Sequence, residues 1–157
     1  IDAGAVDQIV KLNFNSGGAD NRLSIRLRTT AVGVSPESNY AFVIQPGNNS
    51  GNNLFIFSVV SGAVTQLSSN TLGMSTSTTY EIECRALGTA LELKVDGVTK
   101  LTATNSSITT GNLVGFGHAS YNSSGLRVYD FIAEDEGSAI QLSIIESGPA
   151  FTDSISS

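Results

Sequence analysis

Tryptophan is absent from the 157 residues, and cysteine, histidine and methionine occur once each. The single cysteine, Cys84, rules out an internal disulfide. Its neighbours Ile82 and Ala86 put it on an apolar face, where a thiol is buried and inert. One histidine and one cysteine cannot supply the ligand set of a structural zinc site. Without an indole ring, the aromatic platform of any sugar site falls to the tyrosines 40, 80, 121 and 129. Charge is scarce as well, at 14% of residues against about 25% in ordinary domains. The eight Lys and Arg are outnumbered by 14 Asp and Glu, and the net charge of −6 excludes non-specific attraction to nucleic acid or to anionic membranes. No apolar run approaches the roughly 18 residues of a membrane-spanning helix.

Gly, Ser, Thr and Asn occupy the positions that charge leaves, a mix suited to short strands joined by polar turns. Period-two alternation is the dominant pattern. Val10, Leu12 and Phe14 alternate with Lys11, Asn13 and Asn15 over residues 8–15. Residues 22–28 set Leu23, Ile25 and Leu27 against Arg22, Arg26 and Arg28, which predicts three arginines on one solvated face. Strands are expected at 40–44, ended by Pro46-Gly47, at 54–60 and at 64–67. The nearly unbroken apolar run Leu54-Phe-Ile-Phe-Ser-Val-Val60 predicts a strand buried on both faces or near a sheet centre. From Tyr80 the alternation is dense: 80–86, 91–95, 98–104, 113–116 and 126–132, with Asp96-Gly97 as a hairpin turn. A last strand is expected at 139–145, and a single helical turn near Leu72 to Ser75 is the most helix the pattern allows. About eleven strands at spacings of roughly eight to twelve residues predict an all-β, two-sheet antiparallel sandwich. Residues 1–146 form the predicted domain, and 147–157 read as a polar C-terminal linker or tail. A chain that opens on Ile1 is expected to come from processing or excision out of a longer polypeptide.

The series from Tyr80 to Asp135 resembles the C-terminal half of a concanavalin A-like jelly roll of the laminin-G-like type. The residues that carry the resemblance are Leu91-Glu-Leu-Lys-Val-Asp-Gly97, Thr110-Gly-Asn-Leu-Val-Gly-Phe-Gly117 and Leu126-Arg-Val-Tyr-Asp-Phe-Ile132. Residues 8–60 share the family's strand rhythm only. The resemblance implies a jelly-roll fold, and this fold serves lectins, carbohydrate-binding modules, glycosidases, adhesion modules and virion proteins. Family members often hold calcium at a rim, which makes Asp20, Asn21, Asp96 and Asp130 the candidate oxygen ligands, though Asp20 and Asp96 also suit turns.

Catalytic constellations are thin. Glu81 and Glu83 share a strand face at a spacing compatible with glycoside hydrolysis, but Arg85 stands on the same face and a third acid is missing. Lone His118 has no nucleophile-elbow motif to work with. The chain is therefore expected not to be an enzyme and to need no cofactor, calcium being the one left open. Its candidate ligand contacts are the loop residues Tyr121, Asn122 and His118, with Asn48 and Asn49 in a second polar loop. The leading expectation is a structural or binding module acting by surface contacts, as a bacteriophage virion component such as a capsid decoration or tail domain. Its partners would be other virion proteins or further copies of itself, and its location the virion or the extracellular space. The alternative is a carbohydrate-binding or adhesion domain of a secreted bacterial protein, with cell-surface glycans as partners, and a remote one is a glycoside hydrolase. Neither nucleic acid nor membrane insertion enters any of these readings.

Overall fold

A computed structural model describes residues 2, 6–18, 21–30, 36–47, 53–119, 125–135 and 138–141, with backbone alone for 118–119 and 138–141. Eleven strands follow one another: β1 (Gln8–Asn15), β2 (Arg22–Thr29), β3 (Asn39–Ile44), β4 (Leu54–Val60), β5 (Ala63–Asn70), β6 (Thr79–Leu87), β7 (Ala90–Val95), β8 (Val98–Thr104), β9 (Leu113–Ala119), β10 (Arg127–Asp135) and β11 (Ser138–Gln141). They form two antiparallel sheets in the orders β11-β10-β1-β6-β7-β8 and β5-β4-β3-β2-β9. The chain crosses from one sheet to the other after β1, β5, β8 and β9, a two-sheet jelly-roll sandwich.

Alternation builds the core. Val10, Leu12, Phe14, Ile82, Cys84, Leu93 and Phe131 face inward from the six-stranded sheet, and Leu23, Ile25, Leu27, Phe42, Ile44, Leu54 and Ile56 from the other. At about 25 cal/mol per Å² of apolar surface, this two-sided burial is the main driving force for folding. Asp96 and Gly97 both adopt positive φ, 51° and 72°, the geometry of a two-residue turn matched to strand twist, and Val95 pairs Val98 across it.

Residues 72–75, where one helical turn at most was allowed, make none, and three expectations are corrected. Asn53 holds this segment instead, donating from Nδ2 to the Leu72 carbonyl and accepting from the Leu72 amide, at 2.6 and 2.9 Å. Strand β5 continues through Asn70, beyond the expected end at 67. Strand β4 lies inside its sheet, between β5 and β3, but is not buried on both faces: Leu54, Ile56 and Ser58 point in, while Phe55, Phe57 and Val59 stand half-buried on the outer face. The three arginines of β2 do not share a face. Arg28 has φ of 53°, and the pairing of β2 with β9 shifts register between Arg26 and Thr29, so its side chain turns inward. Residues 142–145 of the expected last strand, and the tail at 147–157, lie outside the described residues.

Candidate functional site

The two outer faces differ in chemistry. On the six-stranded sheet, cross-strand pairing lines up Lys11, Glu83 and Lys94 in one row and Arg85 and Glu92 in the next. Ion pairs close this surface: Lys11–Glu134 at 3.2 Å, Arg85–Glu83 at 2.5 Å, Lys94–Glu83 at 3.2 Å and Lys94–Glu92 at 3.7 Å. Burial alone would raise the Glu83 carboxyl, but hydrogen bonds and charge from Arg85 and Lys94 outweigh it and hold the group below its ordinary value. A hydrolytic general acid needs the opposite shift, so Glu83 itself does not suit that role. Because the Glu83 pKa is depressed, its contribution to stability is full above the ordinary carboxylate pKa and is lost as pH falls through the lowered value. Glu83→Gln is accordingly expected to show a smaller drop in melting temperature than the parent chain between about pH 5 and about pH 3. Thermal melts across that range check it, and equal drops would contradict it.

The Cys84 thiol is pushed well above its usual range, first by complete burial and then by the neighbouring Glu83 charge, which leaves it unreactive.

The outer face of the five-stranded sheet carries little charge. No charged residue occurs between Glu37 and Glu81, so β3, β4 and β5 are neutral along their whole length. Register sets two rows across the sheet. One runs Ser69, Phe55, Val43, Ser24, Gly117, and the other Gln66, Phe57, Ala41, Arg26, Gly115. The rings of Phe55 and Phe57 stack with centroids 5.5 Å apart and planes 18° from parallel. Both are half-buried and form an apolar strip on this outer face. At the other end of the second row, Arg26 Nη1 donates to Glu37 Oε2 at 2.7 Å. Beside this pair a shallow cleft of about 230 Å³ is lined by Arg26, Thr29, Glu37 and residues 114–117 of β9. Phe116 is 40% exposed at its rim and packs on Phe131 at 5.3 Å.

Of the ligand contacts expected from sequence, Tyr121, Asn122, Asn48 and Asn49 lie outside the described residues. His118 is placed by its backbone, on β9 opposite Leu23, and its side chain is outside the described residues. Tyr40 is buried, its hydroxyl bonded to Asn105 and to the Ile108 amide, so it is a core residue and not a sugar platform. The expected calcium ligands are dispersed. Asp96 caps the β7–β8 turn by accepting from the Glu81 amide, Asp130 accepts from Asn13, and Asn21 donates to the Ser16 carbonyl. Asp20 is outside the described residues, among which no cluster of three or more metal-ligating side chains occurs. Sequence reasoning missed the phenylalanine pair and the cleft. The signal was present as the charge-free interval ending at Glu81, within which Phe55 and Phe57 alternate with Leu54 and Ile56.

The sandwich is similar to several solved structures. The carbohydrate-binding module CBM66 from Bacillus subtilis superposes with a TM-score of 0.62 at 10% identity, over 83% of this chain and 73% of that one. Sheep galectin-11, in a complex with glycerol, gives 0.63 at 10% identity, over 85% and 92%. The β-glucanase of Bacillus licheniformis gives 0.57 at 15% identity, over 84% and 67%. These likenesses establish the fold. No family model matches the chain, and no curated protein matches it in sequence.

Proposed function

We propose that this chain is a non-catalytic carbohydrate-binding module and that it binds glycan on the outer face of its five-stranded sheet. The observation that carries this reading is the pairing, in one cross-strand row, of a stacked phenylalanine surface with the Arg26–Glu37 couple and its cleft. A sugar offers both chemistries at once: C–H faces for the rings, and hydroxyls that donate to a carboxylate and accept from a guanidinium. The carbohydrate-binding module and the galectin among the similar structures support the choice. None of the three structures described is a virion protein, and the capsid or tail assignment draws no support from them. Binding outside the cell suits this reading, and it needs no metal ion.

A glycan array followed by calorimetric titration tests the proposal. Arg26→Ala is expected to weaken the best array ligand about tenfold, the worth of one or two lost hydrogen bonds from a charged group. Phe57→Ala should act on longer ligands in particular. Three strand spacings, about 14 Å, separate its column from Gly115, too far for one ring to span. Chelation with EDTA should leave binding unchanged, and prolonged incubation should release no sugar. An array without reproducible hits, or hits indifferent to both variants, would remove this face from consideration.

A further inference from the structure

The cleft beside β9 holds two residues that the fold itself does not require to be glycine. Gly115 and Gly117 sit inside the strand, opposite Arg26 and Ser24. Neither has the left-handed backbone that favours glycine, and a Cβ built on either would meet no atom within 4 Å. Glycine in a strand weakens it through lost chain entropy and absent side-chain contact, and it recurs where another molecule must approach the backbone closely. Here the approach would be made from the cleft, whose lining also carries the Arg26–Glu37 pair, hydrogen-bonded at 2.7 Å.

That pair offers donors and acceptors side by side with no net charge. Arg26 is 46% exposed and spends one of its N–H groups on Glu37, while the Glu37 Oε1 oxygen is not used in the pair. An anionic ligand would have to break the couple or sit against the Glu37 carboxylate, on a chain that already carries a charge of −6. At about 230 Å³ the cleft is of a size for one sugar ring.

We propose that this cleft is the subsite for a single uncharged sugar ring, which lies flat on the bare β9 backbone and is held by Arg26 and Glu37. The proposal rests on the glycan-binding reading above and adds the ligand's charge class and its resting place. A glycan array of neutral, uronic-acid-containing and sulfated oligosaccharides identifies the ligand, and the best neutral oligosaccharide is then titrated against the parent chain, Gly115→Val and Gly117→Ala. Melting temperatures accompany each titration. Affinity is expected to fall more than tenfold in Gly115→Val with the melting temperature unchanged or raised, because an added side chain meets open space. Gly117→Ala provides the same reading with a smaller group if Gly115→Val melts early. Binding by the parent chain should be flat across about 0.05 to 0.5 M salt. Parent-like affinity in both glycine variants overturns the subsite while leaving the glycan reading in place, as does a best ligand that carries carboxylate or sulfate. Failure of the parent chain to bind any glycan overturns both.

Discussion

Arg28→Met is expected to destabilise the domain by about 3–5 kcal/mol, lowering its melting temperature on the order of 10 °C. Arg28 is 3% exposed, yet its guanidinium must place every N–H inside the sandwich. Its Nε donates to the Val6 carbonyl at 2.7 Å, Nη1 to Ile108 at 3.0 Å, and Nη2 to Asp7 Oδ1 at 2.9 Å and the Ala86 carbonyl at 3.3 Å. The guanidinium also lies 5.8 Å from the centroid of the Tyr40 ring. One side chain therefore ties together the segment before β1, the end of β6 and the turn after β8. Methionine fills much of the volume but leaves these acceptors facing it without a donor, each at about 1–3 kcal/mol if water cannot reach it. Arg28→Lys should recover only part of the loss, because an ammonium presents its donors from one point and cannot meet acceptors spread around a planar fork. Chemical denaturation of the three proteins reads both differences. A methionine variant as stable as the parent would show that the network adds nothing to the hydrophobic core.

Arg28 also marks where sequence reasoning stops. Alternation placed the strands well: β1, β4 and β8 match the residues read from the sequence, and the Asp96-Gly97 reversal falls where its positive-φ preference demands. The same period-two rule failed at Arg28, since a single non-glycine residue with positive φ reverses which face the following side chains address, and arginine gives no local hint of it. Phe55 and Phe57 failed for a related reason. Hydrophobicity reports that a residue can be buried and says nothing of which of two apolar faces looks outward, so Leu54–Val60 gave no way to separate core from outer surface. The contrast between the two outer faces was readable in principle. Every charged residue lies outside the stretch between Glu37 and Glu81, so the charged rows had to belong to the other sheet or to the β2–β9 end of this one. The Arg26–Glu37 couple sits at that end. It joins strand to connection, and alternation is silent about connections.

Gly111→Ala is expected to cost about 2–4 kcal/mol, through a mechanism independent of any lost hydrogen bond. Gly111 has φ of 104°, which alanine adopts only with strain, and an added Cβ would fall 2.4 Å from the Arg28 carbonyl oxygen and 2.7 Å from its carbon. Both atoms are backbone, so relief requires moving either the turn before β9 or the irregular end of β2. Gln8 connects the same two pieces, accepting from the Arg28 amide at 2.6 Å and donating to the Gly111 carbonyl at 3.2 Å. The arginine and the glycine thus brace one joint, and their effects should not add. In Arg28→Met, where the end of β2 is already loosened, Gly111→Ala is expected to cost at least about 1 kcal/mol less than in the parent chain. The joint also bears on the proposed subsite, because Thr29 follows Arg28 directly and lines the cleft together with Arg26. Displacing the end of β2 would spread the two sides of the cleft. Gly111→Ala should therefore weaken glycan binding at temperatures where the domain is still folded, unlike a destabilising change elsewhere in the core such as Leu93→Ala. Binding that follows stability equally in the two variants would separate the joint from the site.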